Sequence, residues 1–385
     1  MTEWPLVRLG DIAADEKSAI SKPYGSAIIR DDYRDAGVPV VRGVNLARGR
    51  FYDDEFVFIS EDLADRMPGA RLQPGDLVFT HRGSVGQISM IPRAPRFHRY
   101  TLSTSQVKAR LDPTRAIPEF FYYWFLSPAG RHSILQSVST VGVPGLARPV
   151  ETIKSLPVPL PPLDEQRRIA GVLGALDDLI DTDRDLCDRL RRGAAASYSL
   201  ALGSGFDEVP LDECARFYNR GRIPLSKAER SAMSGPYPYY GATGVVDTVG
   251  RYLFDAVHIL VGEDGSVIQD DGSPVVQMVW GKYWVNNHAH VLSGVGISDG
   301  LLRQALLASN VAPLVTGAVQ AKLSMGRLKT LRLRLPSDKR VSTRIDELAS
   351  AERELSEEIV ALTRTRDELL PLLLSGRVRV DGVAA

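Results

Sequence analysis

Residues 157–192 read PVPLPPLDEQRRIAGVLGALDDLIDTDRDLCDRLRR: a run of prolines, then a long segment with one apolar stripe. Proline lacks an N–H and fixes its own φ, so PVPLPPL ends the element before it and leaves a helix free to start. Asp164 is placed to cap that helix. Beyond it Ile169, Val172, Leu176, Leu179, Leu186 and Leu190 recur at alternating intervals of three and four, with Asp183 at one of the same positions. That spacing predicts a helix with a narrow seam. Gly193 and the stretch Gly203-Ser204-Gly205 are its end signals and lead into the second half of the chain. A second such segment comes after Ser337, with Ile345, Leu348, Leu355, Ile359, Leu362, Leu369 and Leu373 on its stripe and Glu352 and Arg366 interrupting it. Three or more heptads in each predict a coiled-coil seam, and charged seam positions suit a two-helix pair that specifies its register. Two amphipathic helices lying separately on globular domains would show similar stripes. The pair is the better reading, because both segments come after the same strand motif at the same distance.

Outward from the helices, the chain divides into two weakly similar copies. WPLVRLGDIA (4–13) answers VPLDECARF (209–217), and GVPVVRGVN (37–45) answers PYPYYGATG (236–244). LVFTHRGSVG (77–86) answers ILVGEDGSVI (259–268), and STVGVPGLARPVETIKSLPVPLP (139–161) answers VTGAVQAKLSMGRLKTLRLRLP (315–336). Lys154 and Lys329 are 175 apart, as are Pro161 and Pro336, whereas Pro5 and Pro210 are 205 apart. The first copy therefore carries about thirty more loop residues, as copies that share a scaffold and differ at the surface do. The predicted fold is α+β: two pseudo-repeated, mostly β domains over 1–161 and 204–337. Long antiparallel helices over 162–203 and 338–375 separate them, and a tail covers 376–385. Gly43, Pro74-Gly75, Gly83, Gly241 and Gly265 mark turns between short strands. One helix sits late in each copy, PEFFYYWFLSPAGRHSILQS (118–137) and SDGLLRQALLAS (298–309). The aromatic run Phe120–Phe125 would suit base stacking, but a buried helix face is its better use.

Lysines and arginines number 47 and so do aspartates and glutamates, so the net charge is zero. The distribution is uneven. Between Asp76 and Asp112 there is no acid, yet Arg82, Arg93, Arg96, Arg99, Lys108 and Arg110 lie there. Between Asp299 and Asp338 the same holds for Arg303, Lys322, Arg327, Lys329, Arg332 and Arg334. Clustered cations, not a basic average, displace counterions from a nucleic acid. Cys187 and Cys214 make no disulfide framework and have no CxxC spacing. No apolar run is long enough to span a membrane, and MTEWPLVRLGDIAADEK has charges where a signal peptide needs an apolar core. The expectation is a cytoplasmic protein.

Catalytic motifs do not appear. Gly281-Lys282 is followed by Tyr283, so there is no phosphate-binding loop of the GxxxxGK[ST] kind. No glycine-rich cofactor fingerprint opens a helix after the first strand, and no Asn-Pro-Pro-aromatic tetrad exists. Glu263-Asp264-Gly265 lacks the preceding ligands of a calcium loop. His288 and His290 form the one close histidine pair, and in a strand they share a face. A metal there stays open, although a hydrogen-bonding or core role is the better reading.

These residues carry a resemblance. WPLVRLGDI, the helix entry PLPPLDEQ, and YPYYGATGVVD…ILVGEDGSV…YWVNNHAHVL, in this placement, resemble specificity subunits of type I restriction–modification systems. The likeness covers nearly the whole chain; PLPPLDEQRRIAGVLGALDDLID is its most specific part and YPYYGATG with NNHAHVL the next. It implies two target-recognition domains, each reading half of a split double-stranded DNA sequence, held apart by the two helices. It implies no catalytic residue, metal or cofactor on this chain. S-adenosylmethionine belongs on adenine-methylating modification subunits, two of which would dock on the helices; ATP and Mg belong on a restriction subunit. The second helix departs from the pattern: PSDKRVSTRIDEL stands where the first has PLPPLDEQRRIAGVL, so the Glu-Gln signature is missing.

Asymmetric half-sites need two unlike readers on one chain, and two diverged copies supply them. At about 1.5 Å per residue, a helix of thirty to thirty-five residues spans about 45–52 Å, beyond the ~34–36 Å of one DNA turn. Candidate DNA contacts are polar and basic loop residues beside the repeated glycine motifs. In the first copy these are Arg42, Asn45, Arg48, His81, Arg82, Ser84, Arg99, Ser103, Thr104 and Gln106; in the second, Tyr239, Tyr240, Thr243, Asp264, Ser266, Asn286, Asn287, His288 and Lys322. Arginine and asparagine suit guanine and adenine edges, while lysine and most arginines meet phosphate. A stand-alone enzyme would need a pocket for S-adenosylmethionine or a metal. A protein-binding scaffold would not need acid-free basic stretches in both copies.

Overall fold

The structure is a computed structural model that describes residues 4–25, 27–47, 50–139, 142–317 and 320–380. The chain forms two units, Met1–Asp181 with Val360–Ala385, and Thr182–Ile359. In the first unit the strands are β1 (Leu6–Arg8), β2 (Ile20–Ser21), β3 (Val38–Val41), β4 (Val57–Ile59), β5 (Arg71–Leu72), β6 (Leu77–Thr80), β7 (Ile88–Met90), β8 (Tyr100–Leu102), β9 (Gln106–Ala109), β10 (Val138–Ser139), β11 (Gly145–Leu146) and β12 (Pro157–Pro159). They build two four-stranded sheets, β2-β9-β6-β7 and β4-β3-β8-β5, and the pairs β1-β12 and β10-β11. β6 reads LVFT and is buried throughout. Leu77 and Phe79 enter one core with Phe120, Phe121, Ile169 and Leu173, while Val78 enters another with Val41 and Leu102. Alternation along the strand thus buries both of its faces. Phe120, Phe121 and Phe125 are at most 1% exposed, so the aromatic run is core.

The second unit repeats this order. Its strands are β13 (Phe206–Pro210), β14 (Ala215–Phe217), β15 (Tyr237–Tyr240), β16 (Val245–Val249), β17 (Phe254–Asp255), β18 (His258–Gly262), β19 (Val276–Val279), β20 (Lys282–Val285), β21 (Ala289–Gly294) and β22 (Arg332–Pro336). The sheets run β14-β21-β18-β19 and β16-β15-β20-β17, with β13 paired to β22. The parallel pairing of β3 with β8 recurs as β15 with β20.

The hydrogen bonds correct the register of the repeat. Leu9 N–H donates to Leu156 O, and Leu211 N–H donates to Leu331 O. Leu9 therefore answers Leu211, an offset of 202 and not the 205 between the prolines. Prolines fit several places beside a paired edge strand, whereas Leu9 and Leu211 are fully buried and set the fit. The surplus in the first copy is 27 residues, the difference between offsets 202 and 175. Most of it falls between β3 and β6, where the offset drops from 199 (Val40 to Tyr239) to 182 (Leu77 to Ile259).

The late helix of the first copy is two helices, Pro118–Leu126 and Pro128–Leu135. Pro128 drives Ser127 to an extended conformation at φ −67°, ψ 157°, and the Ser127 hydroxyl caps the next helix at Gly130 N–H. The second copy has one, Asp299–Leu307, capped by Ser298.

The long helices span Leu163–Leu202 and Arg340–Leu374. Gly193 lies inside the first and does not end it. Asp164 is in the first turn, paired with Arg167, and the leading N–H groups donate to Pro162 O, so Asp164 is not the cap. The buried stripe of the first helix also differs from the expected one. In the first unit it holds Ile169, Ala170, Leu173, Asp177 and Ile180; in the second, Cys187, Ala194, Tyr198 and Ala201. Ile169 is buried as expected, and Leu173, Asp177, Ile180 and Cys187 lie one residue beyond Val172, Leu176, Leu179 and Leu186; Arg191, one beyond Leu190, is exposed. Leu179 and Leu186 are 51% and 41% exposed, while Val172, Leu176, Asp183 and Leu190 are half-buried. The second helix buries the expected stripe: Ile345 and Leu373 almost completely, Glu352 to 9% exposure, and Leu348, Leu355, Ile359, Leu362, Arg366 and Leu369 in part. In the second unit Cys187 meets Glu352, and the Gly193 backbone faces Leu348, an antiparallel pairing.

Candidate nucleic-acid interface

In the first unit three segments converge where β6 ends. His81 N–H donates to Ser105 O in the β8–β9 turn, and Leu146 N–H donates to His81 O from β11. Gly83, at φ +85°, turns the chain back so that its N–H reaches Pro144 O. The result is a groove of about 540 Å3 whose basic lining is Lys22, His81 and Arg82. Arg82 is exposed and its guanidinium has no partner among the described residues. Among the described residues the Lys22 ammonium donates only to Pro23 O. Burial pushes the His81 imidazole below its ordinary pKa, and its Nε2 lies 3.0 Å from Thr104 O, so it serves as a neutral wall.

The second unit builds the same frame with other side chains. Glu263 N–H donates to His288 O, Leu323 N–H to Glu263 O, and Gly265 N–H, at φ +90°, to Ala321 O. Arg82 bridges to Gly145 and Asp264 bridges to Lys322, so these positions correspond pairwise. Here Asp264 is salt-bridged to Lys322 Nζ at 3.2 Å, and His288 Nδ1 lies 3.9 Å away. Behind them Glu263 is salt-bridged to Arg222 at 2.6 Å. His290 is fully buried; its Nε2 lies 2.7 Å from Leu323 O and its Nδ1 2.8 Å from the Asn219 amide. His288 precedes β21 and is half exposed, so the two imidazoles do not converge on one site. Among the described residues no group of three or more His, Cys, Asp or Glu is placed to hold a metal.

The remaining candidates divide by burial. Asn45 is fully buried, accepting from Arg42 N–H and donating to Tyr52 O and Asp54 O, so it holds its own loop. Arg42 is half-buried and donates to Glu55 O. Gln106 is 1% exposed, and Arg99 is taken by Glu61 and Asp65. Tyr239 is 2% exposed with its hydroxyl accepting from Leu225 N–H; Tyr240 packs edge-on against Tyr283; Asn286 is buried and accepts from His288 N–H. Ser84, Thr243, Ser266 and Asn287 are exposed, and Ser103 and Thr104 are half-buried in the β8–β9 turn. Arg48 lies outside the described residues.

Space also revises the basic stretches. Arg93 pairs with Glu119, Arg96 with Asp54, and Arg110 with Glu16 and Asp76, while Lys108 is buried. In the second stretch Arg303 pairs with Glu352, Lys329 with Asp212, and Arg332 and Arg334 with Glu208. Absence of acids along the chain is not absence in space; of the first six cations only Arg82 is exposed and without a partner among the described residues. Lys22 was missed because it lies outside both stretches and outside the repeated motifs.

The family model for the type I restriction modification DNA specificity domain matches residues 1–192 and again 203–359, and the chain belongs to that family. A chain named as type I restriction enzyme specificity subunit S.HindORF215P in Haemophilus influenzae is 35% identical over 138 residues, 36% of this chain and 35% of that one. The EcoKI specificity subunit of Escherichia coli K12 is 29% identical over 166 residues, 42% of this chain and 33% of that one. These alignments thus span about a third of each relative's length. The crystal structure of a type I restriction–modification S subunit from M. genitalium shares the fold, with a TM-score of 0.61 over 96% of both chains at 16% identity. No helix among the described residues is long and apolar enough to cross a membrane.

Proposed function

We propose that the chain is the non-catalytic, DNA-reading subunit of a type I restriction–modification system. Each unit reads one half of a split duplex target, and the long helices carry modification subunits to it. S-adenosylmethionine is bound by those subunits, and ATP and Mg by a restriction subunit where one joins. The observation that carries this reading is a loop frame built twice from the same hydrogen bonds and filled with different side chains. Two identical readers would recognise a palindrome; two unlike readers on one chain suit an asymmetric, bipartite sequence. The basic groove at Lys22 and Arg82 offers the cations that a phosphate backbone attracts.

The test is methylome sequencing of a host with and without this chain. The expected result is a split adenine-methylated motif that disappears on deletion. An unchanged methylome in a host that expresses the modification subunits overturns the proposal. Methyl transfer by the purified chain alone would overturn its non-catalytic part.

A further inference from the structure

Arg82 and Asp264 occupy one position in the two copies. β6 pairs with β9 as Leu77↔Ala109 through Thr80↔Gln106, and β18 pairs with β21 as Ile259↔Leu292 through Gly262↔Ala289. Counting on from either strand puts Arg82 opposite Asp264. Each residue bridges to the same point of the facing segment, Gly145 of β11 in one copy and Lys322 in the other. The backbone is equivalent and the charge is inverted. In the first copy a guanidinium stands without a partner among the described residues, in the groove that Lys22 also lines. In the second a carboxylate stands on the loop, and the cation has moved to the facing strand.

A carboxylate beside DNA is repelled by phosphate unless it is neutralised and has a donor to bind. Asp264 is neutralised by Lys322, and its side chain is 17% exposed against 50% for Lys322, so the pair presents an acceptor and a donor side by side. Backbone hydrogen bonds in both directions between Thr316 and Lys322 hold the donor segment in place. In the major groove guanine offers N7 and O6 acceptors and cytosine an N4 amino donor. A lone arginine complements guanine, and a lysine–aspartate pair complements cytosine together with its guanine partner.

We propose that this shared position is a base-reading position in both copies, with Arg82 reading guanine in one half-site and Asp264 reading the amino group of cytosine in the other. This rests on the DNA-reading function proposed above and adds which chemistry each loop selects.

The experiment uses the full complex with its modification subunits and the split motif from the methylome. Binding is measured on duplexes in which each half-site position is replaced in turn. One G·C pair in each half-site should resist replacement, with a loss of roughly 5- to 150-fold. Asp264→Asn, nearly the same shape, should remove that discrimination at one position of the second half-site and leave the first unchanged. Arg82→Ala should do the reverse. Lys322→Met keeps the carboxylate and should keep the choice of cytosine while weakening binding, which separates reading from folding. An Asp264→Asn complex that discriminates as before, or loses affinity equally across the panel, overturns the inference and leaves DNA reading intact. A wild-type complex with no sequence preference overturns the function itself.

Discussion

Lys22 and Arg82 share one groove but differ in what each head group can do. An ammonium is a compact point charge without a fixed fork, so Lys22 is suited to phosphate and not to a base edge. Lys22→Ala should weaken binding equally across half-site variants and reduce the salt dependence by about one ion, read as the slope of log affinity against log salt. A change of base preference would remove Lys22 from the phosphate-binding role. Histidines make a separate residue-scale prediction. Burial lowers the pKa of His258 and His290 below 6.5, against the opposing pull of Asp299 on the first and Glu263 on the second, while Arg222 lowers the second further. An unfolded chain takes up these protons near pH 6.5 and the folded chain resists them, so their stabilising effect is present above that pH and lost as pH falls through it. Thermal unfolding between pH 8 and pH 5.5 should show a falling midpoint below about 6.5. His290→Gln, which keeps a donor for Leu323 O, should flatten that fall whatever it does to stability overall; an unchanged slope would clear His290 of the effect. None of this was legible in the sequence, where VNNHAHVL shows a histidine pair but not that one ring is buried and the other half exposed.

At the scale of the helix, polar residues decide which stripe is buried. The apolar neighbours Val172/Leu173, Leu179/Ile180 and Leu186/Cys187 offer the first helix two stripes one residue apart, and periodicity cannot choose between them. Asp177 chooses. It accepts from Tyr123 Oη at 2.8 Å and Arg366 Nη1 at 2.8 Å, and it is 3% exposed. Arg191 likewise faces Glu352, which also holds Arg303. Burial pushes the Glu352 carboxyl up, but the two guanidiniums outweigh it and keep it below its usual range. The second stripe was legible because Glu352 and Arg366 interrupt one seam with no rival beside it. Asp177→Leu leaves Arg366 half-buried without that partner and Tyr123 without an acceptor, and should cost about 3 kcal/mol in urea unfolding. Asp177→Leu with Arg366→Leu should recover most of that loss. A double-mutant cycle with no coupling energy would mean the pair does not set the stripe. By the same logic Leu186→Gln should shift stability by under about 0.5 kcal/mol, whereas Ile180→Ala should cost about 2–4 kcal/mol.

For the whole molecule, the order of domain, helix, domain, helix was readable because prolines, glycines and stripes punctuate it at long range. The fit of the two copies at their start was not, since a proline stands out in a sequence and the burial of a leucine does not. Both long helices contribute residues to both units, which makes their length testable as a property of the target. Inserting one heptad into each helix, matched across the antiparallel pair, preserves the buried stripes. It lengthens each helix by about 10.5 Å, seven residues at about 1.5 Å. At about 3.4 Å per base pair, the unspecified gap of the split target should grow by about three base pairs. The same step turns one half-site about 100° around the duplex, since a turn takes about 10–10.5 base pairs. Affinity on the lengthened target should therefore fall unless bending of the DNA or supercoiling of the helices absorbs the rotation. The half-site bases should stay the same, because the loops at Arg82 and Asp264 are untouched. The measurement is binding or methylation on targets whose gap varies one base pair at a time. A preference that keeps the original gap would show that the helices do not set the spacing, and altered half-site bases would show that reading and spacing are not separate.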